Sequence, residues 1–148
     1  MDEWQRSISV NVIGIAKYAV QSMKKHVRGA IVNLGSIFAV IAQPEFTAHS
    51  ATKPAILQIT RNMALDFAPF NIRVNCVCPG AILTPTLERY AQQKGMTMPE
   101  VLAAWAPAHL LNRLGEPRAI ANAILFLLPN RHPSSQGQRP EAQYGSES

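Results

Sequence analysis

An α/β fold with a short parallel sheet is predicted by the order of two kinds of segment. Stretches with the apolar period of an amphipathic helix run from Asp2 to His26 and from about Ser50 to Phe67. Short β-branched runs, Ala30 to Leu34 and Ile72 to Val77, follow each of them and suit strands buried in a parallel sheet. Helix, strand, helix and strand in alternation imply right-handed crossovers with helices laid on the sheet faces.

In the first helix Trp4, Ile8, Val12, Ile15, Ala19 and Met23 recur at three- and four-residue steps, with Asp2 as its cap. Lys24 and Lys25 close it, where cations complement the carbonyl end of the dipole. The break at Arg28-Gly29 opens the first strand. In the second helix Ile56, Ile59, Met63 and Phe67 form the apolar stripe, and Pro79-Gly80 ends the strand that follows. Thr84 to Leu114 is more irregular, with short helices over Leu87–Gln93 and Pro99–Ala104, and suits a mobile lid that selects substrate. A last helix, Pro117 to Leu128, opens on proline and carries Ile120, Ile124 and Leu127 on one face. From Pro129 to Ser148 the chain turns polar and reads as a disordered tail. Two parallel strands leave both sheet edges open, so flanking strands are expected to be missing.

With 148 residues, 47% of them hydrophobic, the chain has the material for one globular core. No apolar run is long enough for a membrane span and no export signal is visible, so the expected setting is cytoplasmic. The net charge of +5 lacks the aromatic interleaving or reader motif of a nucleic-acid site. Cys76 and Cys78 point to one strand face and are expected to be buried thiols, with no further ligands spaced for a metal.

Five motifs carry chemistry when taken in order: Asn11 in Ser9-Val10-Asn11-Val12-Ile13-Gly14; Ser36 after Ile31-Val32-Asn33-Leu34-Gly35; Lys53 in His49-Ser50-Ala51-Thr52-Lys53; Asn71-Ile72-Arg73-Val74-Asn75 leading into Pro79-Gly80-Ala81-Ile82-Leu83-Thr84; and Asn112-Arg113-Leu114-Gly115-Glu116-Pro117. In order and spacing they resemble the short-chain dehydrogenase/reductase family over about residues 2 to 128. The resemblance implies the last strands and helices of a doubly wound, Rossmann-like parallel sheet, here incomplete. It implies an oxidoreductase acting on an alcohol or carbonyl carbon with NAD or NADP. By the same resemblance Asn11 organises a proton-relay water, Ser36 binds the substrate oxygen, and Lys53 binds the nicotinamide ribose and lowers the pKa of a tyrosine four residues earlier. Pro79, Gly80 and Thr84 fall where the family contacts the nicotinamide end.

Two departures from the family pattern shape the expected function. The family's tyrosine falls on His49, where an imidazolium beside Lys53 is disfavoured, so His49 is expected to be neutral and shorter in reach. The glycine-rich pyrophosphate turn, Gly-x-x-x-Gly-x-Gly, occurs nowhere in the 148 residues. The expectation is a truncated, catalytically impaired reductase with doubtful cofactor binding. Two other accounts stay open: a non-catalytic interaction protein that pairs with an intact relative, or with itself, through its first two helices, and a decayed gene product.

Overall fold

The computed structural model describes residues 16–128; Asn11, most of the predicted first helix and the polar tail lie outside the described residues. The elements in chain order are α1 (Ala16–Lys25), β1 (Gly29–Leu34), α2 (Thr47–Phe67), β2 (Ile72–Val77), α3 (Pro85–Gln93), α4 (Met98–Trp105) and α5 (Pro117–Leu127), with single 3-10 turns at Ile37–Ala39, Ala68–Phe70 and Ala106–Ala108. Both predicted strands form and pair in parallel, from Gly29 against Ile72 to Leu34 against Val77. Among the described residues the sheet has these two strands, so both edges are unpaired.

Alternation along the strands puts helices on opposite faces. Arg73 points to one face and donates to the carbonyl of Leu128, at the end of α5, at 3.2 Å. Asn33 and its ladder partner Cys76 point to the other, where the Asn33 amide donates to Thr60 Oγ1 of α2 at 2.9 Å. Thr60 is buried and passes its own proton to Ile56 O at 2.7 Å, so the polar pair is satisfied inside the sheet–helix interface. Ile56, Ile72 and Val74 are the apolar residues buried around it.

The second helix starts at Thr47, three residues before the predicted Ser50. No side chain caps it; instead the Phe46 ring packs against Phe38, Tyr90 and Trp105, and this tertiary contact sets the start. The extra turn brings His49 into the helix. The region predicted as an irregular lid is built on a small core of its own, with Leu87, Ala91, Val101 and Leu114 buried and Tyr90, Met98 and Trp105 packed against them. Thr97 and Glu100 form a reciprocal capping box at the head of α4, with the Thr97 N–H donating to Glu100 at 2.7 Å.

The two cysteines correct an expectation. Both face the same side of the sheet, but Cys76 is half-buried and Cys78 is exposed. They lie at the end of β2 opposite Gly35, a residue with no side chain to cover them.

Pro54 stands inside α2, one residue after Lys53, and has no N–H to give the carbonyl of Ser50. An interior proline costs a helix about 3 kcal/mol against alanine, partly offset by its stiffening of the unfolded chain. Pro54→Ala is expected to raise stability by about 2 kcal/mol in denaturant unfolding; a lower midpoint would show that the ring is needed for packing.

Candidate active site

The candidate residues gather where β1 and β2 end. Gly35 N donates to Val77 O at 2.8 Å and Ile37 N donates to Pro79 O at 2.8 Å, so Ser36 is pinned between two backbone bonds to the end of β2. Its backbone is extended, its side chain is buried, and its Oγ accepts from Phe38 N at 3.2 Å. The hydroxyl proton is thereby left to donate elsewhere.

Lys53 comes from α2 and is also buried, at 8% exposure. Its ammonium donates to the carbonyl of Leu34, the last residue of β1, at 3.1 Å. Burial lowers the Lys53 pKa, and the nearby Cys76 and Cys78 thiolates act in the opposite sense. Three donors on one ammonium leave two beyond the Leu34 bond.

His49 lies one helical turn before Lys53 and therefore on the same face of α2. Its ring meets Phe38 edge-on, with centroids 5.6 Å apart. Burial is the larger cause, and the Lys53 cation the smaller, of a pKa pushed below the ordinary imidazole value. Its place in the first turn of α2 adds to this, because the helix N-terminus disfavours a cation. His49 is thus a neutral imidazole with one donor and one acceptor. The Thr52 hydroxyl closes the turn by donating to Ala48 O at 3.1 Å and His49 O at 3.2 Å. The adjacent Ser50 hydroxyl is buried and has no hydrogen-bond partner among the described residues.

The loop from Pro79 to Thr84 leaves the same end of the sheet. Gly115 straps it: Gly115 N donates to Ala81 O and Leu83 N to Gly115 O, both at 2.9 Å. Thr84 occupies the cap position of α3, but its side chain makes no capping bond and is uncommitted. Ser36, His49 and Lys53 are linked through the end of β1 and the turn after it, by the Phe38 contacts of Ser36 and His49 and the Leu34 bond of Lys53, whereas no hydrogen bond among the described residues joins Thr84 to them.

His109 does more than fill space in the lid. Its Nδ1 is 2.9 Å from Trp105 O, and its Nε2 is 3.2 Å from Ala81 N. The carbonyl requires a donor and the amide an acceptor, so the tautomer that makes both bonds carries its proton on Nδ1. A side chain on Gly80 would meet this ring at 3.1 Å. Neither His109 nor the Asn33–Thr60 pair has a sequence signal beyond a polar residue in an apolar setting.

The fold is an α/β scaffold whose polar residues converge on the C-terminal end of a parallel sheet, the end at which ligands bind in open α/β sheets. A family model described as enoyl-(acyl carrier protein) reductase matches residues 1–145. The chain is 36% identical over 131 residues to 2-(S)-hydroxypropyl-CoM dehydrogenase 3 of Xanthobacter autotrophicus, covering 86% of this chain and 51% of that protein. Among solved structures, ElxO with NADP bound matches at 29% identity and a TM-score of 0.79, over 89% of this chain and 53% of that one. NAD+-bound xylitol dehydrogenase matches at 30% identity and a TM-score of 0.78, over 87% and 54%. The chain belongs to the short-chain dehydrogenase/reductase family. It spans about half the length of the curated relatives it matches.

Two measurements test this geometry. Unfolded His49 binds protons below its ordinary pKa of 6.5 while the folded form resists them, so its contribution to stability is present above that pH and lost as pH falls below it. His49→Gln is expected to flatten the acid loss of stability below pH 6.5, as pH falls through the lowered His49 pKa. An unchanged slope would show that the ring titrates normally. His109→Ala strands the Ala81 amide and the Trp105 carbonyl and is expected to cost about 1–2 kcal/mol in denaturant unfolding. A neutral effect would show that water replaces both bonds.

Proposed function

We propose that residues 1–128 are the C-terminal part of an NAD(P)-dependent short-chain dehydrogenase/reductase, an oxidoreductase for small alcohol or carbonyl substrates, with its proton-transfer step weakened at His49. The observation that carries this reading is the burial of Ser36 and Lys53 at the end of β1, one turn from a neutral His49.

The donor set suits one end of the cofactor. Two unused Lys53 protons and the uncommitted Thr84 hydroxyl match ribose and carboxamide oxygens, with Pro79 and Gly80 forming the wall beside them. The pyrophosphate end needs the backbone amides of a glycine-rich turn, and no such turn lies in these 148 residues. When bound, the nicotinamide accepts or supplies a hydride. Ser36 then donates its hydroxyl proton to the substrate oxygen and fixes it. Lys53 holds the ribose. Asn11 orders the water through which a proton is exchanged, and His49 occupies the position at which that proton is handed over.

His49 fills this role poorly for a reason of charge. A phenol beside Lys53 has its pKa lowered toward neutrality and becomes both acid and base. An imidazole in the same place has its cationic form suppressed, so it lacks the proton an acid must give at neutral pH. A relay through water remains open to it.

Homo-oligomerisation, or pairing with a full-length relative through the first two helices, is the quaternary reading that the family resemblance implies.

The test joins residues 1–128 to the dinucleotide-binding half of a solved relative such as the xylitol dehydrogenase. The chimera is expected to bind NADH or NADPH saturably in a fluorescence titration. Its His49→Tyr form is expected to turn over carbonyl substrates at least about 100-fold faster, the low end of general acid–base catalysis. A folded chimera that binds neither cofactor would overturn the cofactor reading, and equal rates with His49 or Tyr would overturn the impairment.

A further inference from the structure

The family chemistry leaves one reactive cluster at this sheet end unused. Cys76 and Cys78 hold their sulfurs 3.7 Å apart on one face of β2. Both sulfurs lie in the space a side chain on residue 35 would take, at 2.9 and 2.8 Å from that Cβ position, so Gly35 is what lets them sit together. The ammonium of Lys53 is in electrostatic range of both sulfurs, while burial and the neighbouring Cys78 hold the Cys76 thiol above its ordinary pKa. Cys78 is open to solvent, whereas Cys76 is half-buried. A structural metal site would need further ligands, and among the described residues no group of three or more His, Cys, Asp or Glu comes together.

We propose that Cys76 and Cys78 are a redox-reactive dithiol that hydroperoxides convert to an intrastrand disulfide, and that this disulfide loosens the hold on Ser36. The exposed Cys78 thiolate attacks the peroxide oxygen, becomes a sulfenic acid and releases an alcohol, or water from hydrogen peroxide itself. The Cys76 sulfur then gives up its proton and attacks the Cys78 sulfur, displacing hydroxide that leaves with that proton as water. Two thiols and one hydroperoxide thus yield one disulfide, one alcohol and one water, a two-electron exchange. Strand spacing places the two Cα atoms about 6.6 Å apart, near the upper end of the disulfide range, roughly 4.4–6.8 Å. Bond formation therefore has to draw the chain inward around Val77. That contraction acts on Ser36 directly, because Val77 O holds Gly35 N and Pro79 O holds Ile37 N on either side of it.

The full chain is treated with hydrogen peroxide and read by intact mass, thiol titration and hydrogen exchange. The expected product is a monomer lacking two hydrogen atoms and both titratable thiols, restored by dithiothreitol. In it the Gly35 and Ile37 amides exchange about tenfold faster or more, with the β1–β2 ladder amides unchanged. Cys76→Ser, checked for fold by circular dichroism, should stop at a sulfenic acid on Cys78 that dimedone traps. Retention of both thiols, a disulfide-linked dimer, or stepwise oxygen addition to the wild-type chain would each overturn the dithiol. A reversible disulfide with unchanged exchange at Gly35 and Ile37 would overturn its link to Ser36. None of these readouts uses a nicotinamide, so the outcome stands apart from the catalytic reading.

Discussion

Parallel pairing of β1 with β2 is the constraint from which the site follows. Two parallel strands cannot be joined by a hairpin, so the chain must return along the sheet before it can begin the second strand. The return element is α2, which starts beside the end of β1 and runs back toward the start of β2. Its first turns therefore lie at the C-terminal end of the sheet, where Ser36 follows β1 and Pro79 follows β2. His49 and Lys53 occupy those turns, and the Lys53 bond to Leu34 O ties helix and strand at that end. A site assembled from residues spread between Ser36 and Pro79 thus comes from one connection rule and the direction of one helix.

Desolvation governs the electrostatics of this corner. For both His49 and Lys53 burial is the leading cause of a pKa pushed below its ordinary value. The effects of neighbouring charge differ: Lys53 presses the His49 pKa further down, whereas the cysteine thiolates favour the Lys53 cation. The Lys53 ammonium thus lies between a neutral imidazole on α2 and a thiol pair on the β2 side, and burial together with Cys78 holds the Cys76 thiol above its ordinary pKa.

The remainder of the described chain positions the loop that leaves β2. The core around Val101 anchors α3 and α4, His109 connects the end of α4 to Ala81, and Gly115 straps the same loop from the other side. The bonds from His109 and Gly115 are polar, and Ala81 and Leu83 pack the same loop against the Val101 core. By contrast α5 has no buried residue, with Leu125 and Phe126 exposed at 61% and 73%, and the sheet edges beside it are unpaired. The two-stranded sheet buries little for its size, which matches a chain about half as long as its relatives.

Periodicity and order determined much of this protein before any coordinate. The strands Ala30–Leu34 and Ile72–Val77, the helix from Pro117, the parallel α/β arrangement and the family itself are legible because each rests on local pattern: β-branched runs, apolar spacing and motifs in sequence. Ser36 and Lys53 were legible for the same reason, and the charge on Lys53 already implied a neutral His49. Tertiary structure decided what depends on neighbours distant in sequence. The start of α2 at Thr47 comes from Phe46 packing on Tyr90 and Trp105; the role of His109 comes from an amide 28 residues away; and the exposure of Cys78 comes from the bare backbone of Gly35. Sequence pattern records which face of an element is apolar, but not what that face meets, and at this site the meeting residues set which groups are buried, charged or free to react.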